Sequence, residues 1–457
     1  MDLMEKIVSL CKRRGFVFPG SEIYGGLSNS WDFGPVGAEL KKNIKDLWWQ
    51  TFVRQRDDIL GLDAAIIMNP KVWEASGHLA GFSDPLKECK LCHIRLRPDI
   101  IDEFNRHVVP GVGIVTPKSE FIEQLKCSKA KDGNHQWGEI KQFNLMLKTH
   151  LGPVEDSASI TYFRPETAQG MFVDFKNILA SNPKKLPFGI AQTGKAYRNE
   201  ITTGNFLFRL REFEQMEIEY FIPIPKTDKD WQKYFEHWQK EMWVWFNLVG
   251  IDANKVHEHE IPDGERAHYS RRTTDFEFDY PFGRKELYGL AYRTDYDLKQ
   301  HQKFSGQDLS YTDQETGEKF IPHVIEPTWG VDRTFLAVLL SAYYEDDKRV
   351  VLKLKPRLAP YTVAVFPLVR NKPEIIDKAR QVFDRLKLSF HSTWDDRGNI
   401  GKRYYSQDEI GTPWCVTVDY NTLEDGTATV RDRDTTEQIR VKIADLHEHF
   451  NKLLKGD

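Results

Sequence analysis

The sequence predicts an α+β protein: a large antiparallel sheet flanked by helices, followed by a separate, smaller α/β domain. Three observations carry this expectation. Strand signals dominate from Ile160 to Phe221 and return at Glu286 to Tyr292, while the long helical patterns lie outside these stretches. The segment Lys353 to Pro360 holds two prolines and several charges and reads as a linker, after which the pattern becomes a short strand–helix alternation. The chain has 457 residues and is 40% hydrophobic, which suffices for two or three domains with a large core.

The elements follow in chain order. Leu3, Ile7, Leu10 and Cys11 recur at helical spacing, Asp2 can cap the start and Gly15 can stop it, so a helix is expected over about 2–14. A Gly-rich stretch leads to a long helix from Ala38 to Val53, with Leu40, Ile44, Leu47, Trp48 and Phe52 on one stripe. Ile66 to Pro70 reads as a strand ending at proline. Two stretches read as insertions, about 86–150 and 226–280; the aromatic residues from Trp231 to Phe246 in the second suggest a packed helix pair. Val331 to Tyr344 is an apolar helix. Beyond the linker come strands Tyr361–Leu368, Trp414–Val418 and Thr427–Asp432, with helices over Pro373–Leu386 and Val441–Leu454. The expected domains are therefore 1–355 and 356–457.

Composition excludes several classes. With 29% charged residues and ordinary apolar content, the chain is neither disordered nor fibrous. A formal charge of −4 argues against a generally basic nucleic-acid binder, so an RNA partner would need a local basic surface. Five cysteines, an odd number, argue against a secreted disulfide framework. No signal pattern and no apolar run of about 18 residues occurs, so a cytoplasmic location without a membrane partner is expected.

One segment is chemically loaded. If Phe208 to Phe221 is a strand, then Arg209, Arg211, Phe213, Gln215, Glu217 and Glu219 share a face, while Leu210, Met216, Ile218 and Tyr220 suit a core. Arg198 and Glu200, two apart on the preceding strand, also share a face. Two such antiparallel strands joined by a loop bring both rows onto one concave surface. On pattern alone, a charged solvent face with cross-strand ion pairs is an equal reading.

Resemblance separates the two. Arg198-Asn199-Glu200, the following loop with Phe208, Arg209, Arg211 and Phe213, and Gly330-Val331-Asp332-Arg333 resemble motifs 2 and 3 of class II aminoacyl-tRNA synthetases. Ala38 to Val53 with Ile66 to Pro70 is similar to motif 1, a dimer-interface element. Further segments resemble the single-chain, homodimeric glycyl-tRNA synthetases: Trp31 to Gly37, Gln142 to Met146, Phe163 to Gly170, Arg211 to Glu217, Arg293 to Leu298 and Val430 to Asp434, in family order over nearly the whole chain. The resemblance implies an antiparallel catalytic sheet over 1–355 and an anticodon-binding domain over 356–457. It implies ATP, glycine and glycine tRNA as substrates and a homodimer.

It also implies roles. Arg198 holds the α-phosphate of ATP, Glu200 reads the adenine amino group, and Phe213 and Arg333 sandwich the base. Asn199, Phe208, Arg209, Arg211, Glu286, Leu287 and Gly330 complete the nucleotide site, and Arg198, Glu200 and Arg333 are the catalytic set. Glu326 and Glu286 are the carboxylates for Mg2+. For the amino acid, Glu166, Glu217 and Glu326 hold the ammonium, Arg97 lies toward the carboxylate, and Phe213, Gln215, Thr328 and Gly330 shape the pocket. The substrate carboxylate is the nucleophile, so no activated serine or cysteine is required.

Other signals have plainer readings. Cys89-x-x-Cys92 is half a zinc site, and relatives often supply a second pair; here that place reads Cys127-Ser128-Lys129-Ala130. Cys127 with His135 completes four ligands, but reduced, unliganded thiols are the reading the broken pair favours. His257-Glu258-His259-Glu260 reads as a polar face, and Gly111-Val112-Gly113 as a turn. Relatives carry Pro-Arg where this chain has Thr203-Gly204, and Ser with a small residue where it has Thr328-Trp329. Two rivals stand beside the main reading: a non-catalytic nucleic-acid-binding homologue of the same fold, and a synthetase for another small amino acid.

Overall fold

A computed structural model describes residues 2–98, 101, 108–109, 113–114, 126–201 and 204–456. The turn expected at Gly111-Val112 and the departure at Thr203 lie outside them. We number the strands of the two main sheets and the longer helices in chain order.

The larger sheet has seven strands: β1 (Ile59–Gly61), β2 (Phe188–Tyr197), β3 (Glu212–Ile222), β4 (Val256–Glu260), β5 (Arg272–Tyr280), β6 (Gly283–Thr294) and β7 (His323–Gly330). Their spatial order is β4-β5-β6-β7-β3-β2-β1. Every neighbouring pair is antiparallel except β1 with β2. The segment expected as a second insertion thus contributes the two strands at one edge of the sheet, and His257 to Glu260 belong to β4.

Helices cover one face. The first, α1 (Leu3–Arg14), has a capping box between Asp2 and Glu5 and ends at Gly15 with φ of 73°. Next, α2 (Pro35–Trp49) continues through a wider turn over Gln50–Arg54 and buries Leu40, Ile44, Trp48 and Phe52. Gly37 on α2 is needed for close approach, because a Cβ there would lie 1.9 Å from the Phe16 carbonyl oxygen. A single helix, α3 (Asp228–Val249), replaces the expected helix pair. Its buried residues Trp231, Phe235, Trp238, Met242, Trp245, Phe246 and Val249 recur at spacings that keep one continuous stripe, so nothing breaks it in two. After α4 (Tyr296–Ser305) comes α5 (Val331–Ala342), buried on nearly every side and packed among α2, β3, β5 and β7.

Two other expectations are corrected. Ile66 to Met68 form no strand; Ile67 makes one isolated bridge to Phe163, and Pro70 begins a short helix capped by Asn69. Proline fits a helix's first position because its missing N–H is not needed there. The strand signal from Ile160 to Phe221 is interrupted by short helices Ala168–Val173 and Phe175–Ser181, and β3 starts at Glu212, not Phe208.

The second sheet has five strands: β8 (Val363–Pro367), β9 (Ser392–Trp394), β10 (Trp414–Val418), β11 (Thr427–Asp432) and β12 (Gln438–Lys442), in the order β9-β8-β10-β11-β12. Helices α6 (Pro373–Leu386), α7 (Ile400–Ile410) and α8 (Leu446–Lys455) complete the domain. The helix expected from Val441 begins instead at Leu446, because Val441 is held in β12, opposite Ala428. The linker segment is packed: Leu354, Leu358 and Ala359 are buried, and Asn43 donates to the carbonyls of Leu358 and Ala359. Asp408 of α7 binds both Arg349, at 2.8 Å, and Arg431, at 2.8 and 3.0 Å. Arg433 donates to the Leu354 and Gly411 carbonyls. The two units are therefore clamped, not loosely tethered.

Candidate active site

The site lies on the face of β3, β6 and β7 opposite the aromatic core. Register puts Gln215 beside Gly330 and Glu217 beside Thr328, and Thr328 beside Gly289 of β6. Period two then decides each side chain's fate. Phe213, Gln215, Glu217, Glu326, Thr328 and Gly330 line a cleft of about 410 Å3. Trp329 points the other way, with ring centroids 5.5 Å from Trp48 and 5.0 Å from Phe52. Of the Thr328-Trp329 departure, only Thr328 therefore bears on the pocket; Trp329 is a core residue.

Arginines cluster toward one end of the cleft. β2 stops at Tyr197, but Arg198 N–H still bonds the Arg211 carbonyl at 2.9 Å, so Arg198 leaves the sheet in a defined direction. Its guanidinium sits 5.1 Å from the Phe213 ring and 5.3 Å from Phe82, and its Nε donates to the Pro165 carbonyl at 3.0 Å. The hairpin tip turns through Asn205 and Phe206, whose φ values of 55° and 59° are left-handed, which is unusual for an aromatic residue. Arg333, at the start of α5, packs 4.5 Å over Phe208 and pairs with Glu286 at 3.1 Å. That arginine's charge holds the Glu286 carboxyl below the usual range. Glu200 and Arg209 also line the cleft, and burial raises the Glu200 carboxyl.

Acids cluster toward the other end. Glu217 accepts from the hydroxyls of Thr328, at 2.9 Å, and Thr167. Glu217, Glu219 and Glu326 bring carboxylate oxygens within 4.8 Å of one another, all buried. Arg293, itself buried, donates to Glu326 at 2.6 Å and bidentately to Asp297 at 2.8 Å. Both Glu219 oxygens are buried without a hydrogen-bond partner, and burial plus the Glu326 charge push its carboxyl well above the usual range. Burial and then the Glu166 charge raise Glu217 too. Burial opposes charge on Glu166, but His78, at 3.3 Å, and Arg293 hold it well below. Several acids facing one arginine make a pocket suited to a small cation.

Glu166 is held by Gln169, whose amide donates to it at 2.9 Å, and the segment before it is anchored by Arg164. Arg164 is buried, donating to the Lys195 carbonyl at 2.7 Å and the Ala64 carbonyl at 2.9 Å. Gly194 makes room for it, since a Cβ there would lie 2.1 Å from the guanidinium.

Most of the expected residues meet. Arg198, Glu200, Phe208, Arg209, Phe213, Glu286, Leu287, Gly330, Arg333, Glu166, Gln215, Glu217, Glu326 and Thr328 all line the cleft. Three do not. Asn199 follows the end of β2 and gives its N–H to the Leu145 carbonyl. Arg211 donates to the Ser28 carbonyl. Arg97 is tied to Asp84 at 2.9 Å, near enough to Glu200 to act on its charge. Of the two carboxylates expected for Mg2+, Glu326 groups with Glu217 and Glu219, and Glu286 with Arg333. Of the two residues expected to sandwich the base, Phe213 faces Arg198 and Arg333 covers Phe208, and both line the cleft. Arg293, Thr167 and Asp275 were absent from the expected set. The i,i+4 pair Arg293 and Asp297 inside a recognised segment was the available signal for the first.

The cysteine segment also converges. Cys89, Cys92, Cys127 and His135 each bring a ligand atom within 4.8 Å of the others.

An antiparallel sheet whose inner strands carry arginines at one end of a cleft and acids at the other is the site of a class II synthetase. Residues 154–343 match the tRNA synthetase class II core domain (G, H, P, S and T), and residues 362–453 the anticodon binding domain. Proteins named glycine--tRNA ligase align almost end to end: that of Lachnospira eligens is 50% identical over 98% of this chain and 98% of its own length. Those of Clostridium acetobutylicum, 50% identical over 99% of both, and Alkaliphilus oremlandii, 49% identical over 99% and 98%, are alike. The chain belongs to the glycine--tRNA ligase family of class II aminoacyl-tRNA synthetases.

Proposed function

We propose that this chain activates glycine with ATP and transfers it to the 3′ end of glycine tRNA. The carrying observation is the cleft's charge division: Arg198, Arg209 and Arg333 suit a polyphosphate, while Glu166, Glu217 and Glu326 suit an ammonium. The glycine carboxylate attacks the α-phosphorus, the bond to the bridging oxygen breaks, and pyrophosphate leaves with the electron pair. Arg198 stabilises the charge that builds on the α-phosphate oxygens, because its planar fork matches them. In the second step a ribose hydroxyl of the tRNA terminus attacks the carbonyl carbon of the glycyl-adenylate and gives up its proton, the carbonyl carbon–oxygen bond to phosphate breaks, and AMP leaves.

Glycine is selected by a held ammonium and by lack of room. Thr328 and Thr167 fix Glu217, and the Thr328 methyl adds bulk beside it. One methylene alone gives about 1–3 kcal/mol of attractive discrimination, so a wall must supply the rest. Mg2+, when bound with ATP, neutralises phosphate charge, and the carboxylate oxygens of Glu286 fit it as hard donors. Glu326 lies instead at the acidic end of the cleft, grouped with Glu217 and Glu219. We also read the protein as a cytoplasmic homodimer. Ile23, Tyr24 and Leu27, which lie in one exposed segment next to the Ser28 carbonyl bound by Arg211, supply apolar surface for a second copy. Among the described residues no helix is long and apolar enough to cross a membrane.

Exchange of labelled pyrophosphate into ATP by the purified chain tests the reading. Exchange should require glycine and fail with alanine or serine. Exchange that another amino acid supports better, or no exchange at all, would return the reading to one of its two rivals.

A further inference from the structure

We propose that Cys89, Cys92, Cys127 and His135 form a tetrahedral Zn2+ site of three thiolates and one imidazole. The four ligand atoms come from two loops well separated in sequence yet lie within 4.8 Å of one another. Their spacing has the size of a metal tetrahedron. With Zn–S near 2.3 Å and Zn–N near 2.0–2.1 Å, tetrahedral geometry requires about 3.8 Å between sulfurs and about 3.6 Å between sulfur and nitrogen. Cys89 Sγ lies 3.9 Å from Cys127 Sγ, and Cys92 Sγ lies 3.5 Å from His135 Nδ1.

The surroundings are built as a metal knuckle. The Cys89 N–H bonds the Ile94 carbonyl at 2.9 Å, and the Lys90 N–H bonds the Gln136 carbonyl at 2.8 Å, so the backbone ties the two loops together. His93 turns the first loop with φ of 61° and its N–H bonds the Cys89 carbonyl. The second loop closes through Gly133, φ of 75°, with the Cys127 N–H on the Gly133 carbonyl. Where a second Cys-x-x-Cys would end, this chain has Ala130. His135 takes its place, its ring held against Trp137 at 4.6 Å between centroids.

An ion also answers a packing problem. The only apolar cluster in this region among the described residues is Leu96 and Ile101, with Ile94 and Trp137 against it. That is a small apolar core for the described part of the segment, and a structural zinc supplies folding free energy directly. Five residues on from Cys92, Arg97 meets Asp84 at 2.9 Å, and both charges act on Glu200 of the cleft. The ion is thus a staple for the wall that carries Arg97, with no part in the chemistry.

The test uses the full chain purified from zinc-supplemented medium without chelator. Metal analysis should find about one zinc per chain, as a single four-ligand site requires. Replacing zinc by Co2+ should give the intense visible bands of a tetrahedral thiolate complex. Cys127→Ser and His135→Ala should each lose most of the metal, while His135→Cys should keep it with a spectrum shifted toward four thiolates. Wild-type chain with no zinc and no Co2+ bands overturns the proposal. So does zinc content unchanged in both Cys127→Ser and His135→Ala, or a Cys89–Cys127 disulfide in the metal-free purified chain.

Discussion

Arg198→Ala separates catalysis from folding. Among the described residues the side chain makes one hydrogen bond, to the Pro165 carbonyl, and faces two rings at 5.1 and 5.3 Å. Losing a net hydrogen bond costs about 1 kcal/mol, and two partly exposed cation–π contacts about 0.5–1 kcal/mol each. The variant should therefore unfold only a few degrees lower than wild type. The transition state loses more. A preorganised cation aimed at developing phosphate charge is usually worth 10²–10³ in rate, about 2.7–4 kcal/mol. Glycine-dependent pyrophosphate exchange at saturating glycine and ATP, run well below the melting temperature, should fall by that factor, with Arg198→Lys intermediate because a point charge cannot reproduce the fork. Exchange within about tenfold of wild type refutes the assignment. So does a raised KM for ATP with kcat unchanged, which would show binding shared equally by ground and transition states.

Three other perturbations bear on the structure. Arg293→Met strands Asp297 and Glu326 in the interior and should cost about 3–5 kcal/mol in urea unfolding; a loss under about 1 kcal/mol means that water reaches the pair. Asp275 lines the cleft, and burial first, then the Glu286 charge, raise its carboxyl to about 7. Because the folded value lies above the unfolded one, the native state keeps a proton that the unfolded chain has released, so this group's stabilisation is full below its ordinary pKa and lost as pH rises through about 7. Asp275→Asn should flatten the fall in melting temperature over that window, and an unchanged slope would place the titration elsewhere. Asp408→Ala removes the shared partner of Arg349 and Arg431 and should impair tRNA charging more than glycine-dependent exchange; equal losses would mean that the clamp supports the catalytic domain itself.

The amino-acid sequence by itself determined the nature of the site and the local elements. Capping at Asp2 and Gly15, the stripe on α2 and the alternation along β3 are short-range consequences of side-chain chemistry, so they can be read without a fold. The motif residues Arg198, Glu200, Phe213 and Arg333 were legible through resemblance to a family, since on pattern alone a charged solvent face was an equal reading. Other features depend on contacts between distant segments, and only the tertiary structure decided them. Arg293 is an ordinary arginine until β6 and β7 bring it to Glu326. Thr328 and Trp329 are adjacent in the chain, yet register sends one to the cleft and the other to the core. Pairing with β11 makes a strand of Val441, where spacing alone favoured a helix. Cys127 and His135 are polar loop residues until the fold sets them beside Cys89 and Cys92. Local propensity is an energy of neighbours in sequence; register, burial and charge pairing are energies of neighbours in space, and these set the partners of Glu217, Glu326 and Arg97.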